Sequence, residues 1–163
     1  MTRSPHLDAH VVVRRPGHTL DVHLTAERGD VVAVIGPNGA GKSTLVRALA
    51  GIEPLDAGHV VCDGRRWEGD GAPRTDIRDR SIGMVFQQEL LFPHLSAVGN
   101  VAFGPRSRGA GRRAAERTAR GWLTRLGVED LAGRRPAQLS GGQAQRVAIA
   151  RALATDPGLL LLD

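Results

Sequence analysis

The nonapeptide Gly36-Pro37-Asn38-Gly39-Ala40-Gly41-Lys42-Ser43-Thr44 decides the reading of this 163-residue chain. It fits the pattern G-x-x-x-x-G-K-[ST], a glycine-rich loop whose backbone N–H groups wrap a di- or triphosphate while the lysine reaches the β and γ oxygens. A side chain at Gly39 or Gly41 would hold the backbone away from phosphate, and glycine alone takes a positive φ without strain. Lys42 is the sole lysine among 22 basic residues, all the others being arginine. A slim ammonium fits inside such a loop, whereas arginine's planar fork is too broad. Ser43 is the expected Mg²⁺ ligand through its hydroxyl.

The flanking sequence supplies the required order of strand, loop and helix. Val31-Val32-Ala33-Val34-Ile35 is short, apolar and β-rich, and is expected to be a fully buried strand. Thr44-Leu45-Val46-Arg47-Ala48-Leu49-Ala50 reads as a helix, with Gly51 near its end and Pro54 just beyond. That order aims the helix's unpaired N–H groups and its positive end at the phosphate.

The composition, 41% apolar with 3% aromatic residues and no tyrosine, fits one core of helix and sheet layers packed by leucine, valine and alanine. A net charge of +5 and a pI near 11.0 would ordinarily suggest nucleic acid or an acidic membrane as partner. Arginine, however, stands almost wherever a cation is tolerated, amid many alanines and glycines, which reads as coding bias. The run Arg106, Arg108, Arg112, Arg113, Arg117 and Arg120 is accordingly a solvated helix face, and no nucleic acid partner is expected. Cys62 is the only cysteine, so an internal disulfide is excluded and a reducing compartment is the simpler inference. With no histidine at ligand spacing, its expected role is buried and apolar. Met1-Thr2-Arg3-Ser4-Pro5-His6 lacks the apolar core of a secretory signal, and no apolar run approaches ~20 residues, so any membrane role is expected to come through a partner.

Further along, residues 9–13 and 20–24 read as strands around Pro16-Gly17. His59-Val60-Val61-Cys62, turning at Asp63-Gly64 into Arg65-Arg66-Trp67, reads as a hairpin in which Trp67 packs. Residues 69–80 are polar and read as a loop. Ile82-Gly83-Met84-Val85-Phe86 is a buried strand that ends at Gln87-Gln88. Residues 109–126 place Ala115, Ala119, Trp122, Leu123 and Leu126 on one helical face, stopped by Gly127. A helix over 142–154 is apolar around most of its girth and must be buried. Thr155-Asp156-Pro157-Gly158 turns the chain into Leu159-Leu160-Leu161-Leu162, a buried parallel strand ending in Asp163.

Leu139-Ser140-Gly141-Gly142-Gln143 stands immediately before that helix. Ser140 is placed as its N-cap, and Gly141 and Gly142 leave backbone N–H groups exposed at a second anion-accepting helix start. Taken alone, the pentapeptide reads equally well as a capped helix with flexible glycines. Asp163 ends an apolar strand from which its carboxylate can reach an ion held by Ser43.

Phosphate loop, glutamine, Leu-Ser-Gly-Gly-Gln, then apolar strand plus aspartate is an order that resembles the ATP-binding-cassette family over the whole chain. The resemblance implies an α/β fold: a P-loop NTPase RecA-like core with an antiparallel β-subdomain (1–87 and 144–163) and an inserted helical subdomain (88–143). It implies ATP and Mg²⁺ as cofactors, with Gly36, Pro37, Asn38, Gly39, Ala40, Gly41, Lys42, Ser43 and Thr44 holding phosphate. Gln87 would sense the γ-phosphate and, with Ser43 and Asp163, attend the metal, so that Lys42, Gln87 and Asp163 form the catalytic set. Ser140, Gly141, Gly142 and Gln143 would touch ATP bound by a second cassette, closing a head-to-tail dimer.

Members usually carry an aromatic residue upstream of the loop to stack on adenine. Residues 11–18 hold none, leaving His18 or an arginine as substitutes. The glutamate that normally follows the strand-end aspartate and a later switch histidine fall beyond Asp163, so the chain as written is expected to be a C-terminally incomplete cassette that binds Mg-ATP without turnover. The complete protein is expected to be an ATPase. Leu90-Leu91-Phe92-Pro93-His94-Leu95-Ser96-Ala97-Val98-Gly99-Asn100-Val101 lies where members touch membrane subunits and, with the stretch at residues 63–67, is most similar to molybdate-type importers, with sulfate, iron and polyamine importers close behind. That similarity implies permease subunits, an indirect substrate-binding protein, and a place on the cytoplasmic face of the membrane. The rival readings are a cassette acting on DNA or ribosomes, which lacks here the long coiled coil or second cassette, and a small P-loop kinase, which leaves residues 139–143 unexplained.

Overall fold

The structure is a computed structural model that describes residues 5–69, 71–87 and 90–163. The expectations for residues 1–4 and for Gln88 lie outside the described residues. The chain divides into two compact units, Met1–Arg80 with Asp163, and Ser81–Leu162.

The first unit is an antiparallel sheet in the order β2-β1-β3-β4, formed by β1 (Leu7–Arg15), β2 (His18–Ala26), β3 (Ala57–Cys62) and β4 (Arg65–Gly69). Pro16-Gly17 closes the first hairpin, in register from Leu7↔Ala26 to Arg15↔His18. Asp63 and Gly64 close the β3–β4 hairpin, both in the left-handed region at φ 49° and 70°, as the twist-matched primed turns require. Strand alternation buries Leu7, Ala9, Val11 and Val13, and Leu20, Val60, Cys62 and Trp67 of the other strands are buried as well. The helix α1 (Lys42–Ala50) packs on β1 and buries Leu45, Ala48 and Leu49.

Behind α1, Arg80 is fully buried. Its guanidinium donates to Leu49 O at 3.1 Å, Thr75 O at 3.2 Å and Glu68 Oε2 at 2.7 Å, and its Cζ lies 5.7 Å from the centre of the Trp67 ring. Glu68 also accepts from Leu55 N–H at 3.0 Å and pairs with Arg74 at 3.1 Å. The C-terminal carbonyls of α1 are thus tied to β4 through one buried cation. The expected packing role of Trp67 holds, whereas the loop ending at Arg80 contributes a core residue that its polar composition concealed.

In the second unit β5 (Ile82–Val85) and β6 (Leu159–Leu162) pair in parallel, from Ile82↔Leu159 to Val85↔Leu162. Three helices follow in chain order between them: α2 (Ala97–Ser107), α3 (Arg112–Arg125) and α4 (Gly141–Leu153). Ala97 and Val101 of α2, Ala115, Ala119 and Leu123 of α3, and Val147 and Ala150 of α4 form one apolar core. Trp122 is partly buried at its edge, with Arg125 lying 4.8 Å over its ring. Asn100 is fully buried: its Oδ1 accepts from Phe92 N–H at 2.7 Å and its Nδ2 donates to Phe92 O, Leu95 O and Ser96 O at 3.1–3.2 Å.

Two strand expectations need correction. Residues 31–35 join neither sheet, and Val31 and Ile35 are 96% and 92% exposed. An apolar β-rich run becomes a strand only when a neighbour supplies its hydrogen bonds, and this one has no ladder partner among the described residues. In β6 the parallel pairing holds but full burial does not: Leu161 is buried while Leu162 is 60% exposed, because a two-stranded pair covers one face better than the other.

Candidate nucleotide site

The loop ends at Gly41, the N-cap of α1, whose φ of 91° turns the chain so that the helix starts on Lys42. A Cβ on Gly41 would also meet Leu20 Cδ1 at 3.1 Å and His18 Nε2 at 3.4 Å. Gly39, at φ 82°, has nothing within 4 Å of that position. Both glycines therefore answer to backbone conformation, and Gly41 answers to packing as well. No side chain caps α1 and its first turn holds no acid of its own, so its N–H groups and positive end face the loop.

Lys42 folds back over the loop, its Nζ donating to Gly36 O at 2.9 Å and Pro37 O at 2.8 Å. That posture pins the ammonium against the first two carbonyls of the loop. Ser43 Oγ donates to Asp163 Oδ1 at 2.6 Å across 120 residues of sequence. A hydroxyl and a carboxylate in contact are hard oxygen donors, a set that suits Mg²⁺.

The remaining predicted residues belong to the second unit. Gln87 is exposed, just past the end of β5. Ser140 is the N-cap of α4, as expected: its Oγ accepts from Gln143 N–H at 3.4 Å, and Gln143 Oε1 accepts from Ser140 N–H at 2.9 Å. This reciprocal capping box fixes the helix start while Gly141 and Gly142 stay exposed. Within the first unit the structure thus gathers Gly36, Pro37, Lys42, Ser43 and Asp163, while Gln87 and residues 140–143 belong to the second.

The expected burial of Cys62 holds, and a histidine partner is added to it. His6 Nε2 lies 3.9 Å from the Cys62 Sγ, and His6 Nδ1 bonds Asp63 Oδ1 at 2.6 Å. Burial first, then the neighbouring Asp63 charge, pushes the thiol up to about 11, so Cys62 is no nucleophile at neutral pH. The Asp63 carboxyl, against some desolvation, is held below the usual carboxylate range by His6 and Arg28. Only pairing across the sheet reveals this cluster, since 56 residues separate His6 from Cys62.

A glycine-rich loop at a helix start, with a strand-end carboxylate against its serine, defines a P-loop protein of the α/β class. The chain belongs to the ABC transporter family, whose sequence pattern matches residues 19–163. It is 49% identical over 149 residues to the molybdenum import ATP-binding protein ModC of Mycobacterium tuberculosis H37Rv, covering 88% of this chain and 40% of that protein. It is 46% identical to the glutamine transport ATP-binding protein GlnQ of Escherichia coli K12, covering 90% of this chain and 60% of the relative. Among solved structures, the dimeric post-hydrolysis state of the ATP-binding cassette MJ0796, bound to ADP and Pi, superposes with a TM-score of 0.79 at 32% identity, covering 96% of this chain and 73% of that one. The chain therefore spans 40–60% of the length of these curated relatives. No helix among the described residues is long and apolar enough to cross a membrane.

Proposed function

We propose that this protein is the ATP-binding subunit of an ABC importer and that the loop at residues 36–44 holds the triphosphate of Mg-ATP. The observation that carries this is the Ser43–Asp163 contact beside a lysine already clamped on the loop. In this reading the α1 N–H groups and Lys42 neutralise the β and γ oxygens, and Ser43, Asp163 and Gln87 hold Mg²⁺, which supplies further charge compensation there. Ser140, Gly141, Gly142 and Gln143 face the ATP of a second cassette. Residues 88–143 form the helical subdomain, and 1–87 with 144–163 the core. The whole protein hydrolyses ATP and works at the cytoplasmic face of the membrane against permease subunits, with solute delivered by a separate binding protein. The names of the relatives favour import over action on DNA or ribosomes, and the dimeric neighbour supports the second cassette. Molybdate or a similar oxyanion is the proposed solute, on the similarity to ModC; a sulfate/thiosulfate import relative lies at 44% identity.

Calorimetric titration of Mg-ATP tests the nucleotide reading. Lys42→Ala is expected to weaken binding roughly 100-fold, about 2.7 kcal/mol, and equal affinity in the two proteins refutes it. Labelled molybdate uptake by cells lacking the gene tests the solute separately, because unchanged uptake removes molybdate and leaves nucleotide binding standing.

A further inference from the structure

We propose that His6, Cys62 and Asp63 form a binding site for a borderline-soft divalent cation of the zinc class, distinct from the oxygen donors Ser43 and Asp163. Three donors of different kinds converge where β1 begins and β3 ends. His6 Nε2 lies 3.9 Å from Cys62 Sγ, His6 Nδ1 lies 2.6 Å from Asp63 Oδ1, and one ligand atom from each residue lies within 4.8 Å of the others. The backbone sets this convergence: Leu7 pairs with Cys62, and Asp63 N–H donates to His6 O at 2.8 Å. The His6 side chain is 9% exposed and Cys62 2%, while the Asp63 side chain, 46% exposed, opens the cluster to water.

An imidazole nitrogen and a thiolate sulfur are the pair that zinc selects over magnesium. With Zn–N near 2.0 Å and Zn–S near 2.3 Å, an ion bonded to both needs them roughly 3.5–4 Å apart. The observed separation meets that span without backbone movement. Asp63 completes the arrangement from the other side of the ring: a carboxylate holding Nδ1–H turns Nε2 toward sulfur, as outer-shell carboxylates do for metal-bound histidines. Arg28 Nη2 donates to the same Asp63 oxygen at 2.6 Å and holds it in place. On binding, the S–H bond of Cys62 breaks, the sulfur–metal bond forms and one proton leaves to solvent. Water fills the remaining positions on the ion.

The test titrates the chelator-stripped chain with Co²⁺ alone and then displaces it with Zn²⁺. One equivalent of cobalt is expected to bind with a thiolate-to-cobalt charge-transfer band in the near ultraviolet, releasing one proton. His6→Gln and Cys62→Ala should each abolish the band and weaken zinc at least tenfold. Asp63→Asn should keep the band and weaken zinc roughly 10- to 100-fold. Lys42→Ala, which disables the nucleotide loop, should leave the band unchanged, so the two readings fail independently. The proposal is overturned if the wild-type protein binds cobalt without the sulfur band, which would assign the ion to Ser43 and Asp163 or to the stacked His10–His23 pair, or if His6→Gln binds as the wild type does. The wild-type spectrum decides even if Cys62→Ala folds poorly.

Discussion

Replacing Asn100 should unfasten residues 91–96 from α2. One side-chain amide, fully buried, accepts from Phe92 N–H at 2.7 Å and divides its two N–H donors among three carbonyls at 3.1–3.2 Å. At about 1 kcal/mol net for each of three donor–acceptor equivalents, with a small cavity added, Asn100→Ala should cost about 3–4 kcal/mol. In a unit of this size that lowers the melting temperature by roughly 12–30 °C. Asn100→Asp is isosteric yet should be worse at neutral pH, about 4–5 kcal/mol, because it keeps the acceptor for Phe92 but turns a carboxylate on three carbonyls that offer no proton. The sign with pH follows. Burial raises that carboxyl's folded value above its unfolded one of about 3.9, so the folded state holds the proton more tightly and the variant recovers stability as pH falls. Urea melts of both variants at pH 7 and pH 4 measure this. An Asn100→Asp protein at least as stable as Asn100→Ala at pH 7, or either variant within about 1 kcal/mol of wild type, would refute the reasoning.

Arg80→Met should cost about 3–5 kcal/mol in a denaturant melt, since Glu68 then keeps only Arg74 as a charged partner among the described residues. Pairing it with Glu68→Gln should cost less than the sum of the two single changes. Gly39→Ala and Gly41→Ala share the penalty of a left-handed φ, about 1–2 kcal/mol, but only Gly41→Ala also presses on Leu20 and His18. Equal melting temperatures for the two would show that this contact carries no weight. The Asp63 carboxyl is depressed by His6 and Arg28, so its contribution is present above the ordinary carboxylate value and is lost as pH falls through its folded value. Metal-free Asp63→Asn should therefore show a flatter fall of melting temperature between pH 5 and about 3 than wild type, and the difference should shrink with salt.

The loop was legible because its chemistry is local. Glycines at φ 82° and 91° and a lysine that bonds carbonyls five and six residues back need only a few consecutive residues. Ser140 was legible for the same reason, since a capping box closes within four residues. The hairpins and the α3 stripe followed from turn chemistry and period. Residues 31–35 show where such reading fails: their β propensity was plain, but strand formation depends on a partner that no local window contains. Asn100 and Arg80 were missed because a polar residue in a polar stretch carries no sign of the carbonyls that will surround it.

By itself, then, the sequence determined the loop, the capped helix start, the hairpin turns and the aspartate at a strand end, all of them settled by short-range sterics and hydrogen bonding. The tertiary structure alone decided that His6 meets Cys62 across 56 residues, that Asn100 closes on the carbonyls of residues 92–96, and that Arg80 lies inside. Those pairings depend on strand register and on how buried polar groups find partners, which are properties of the packed chain and of no single segment.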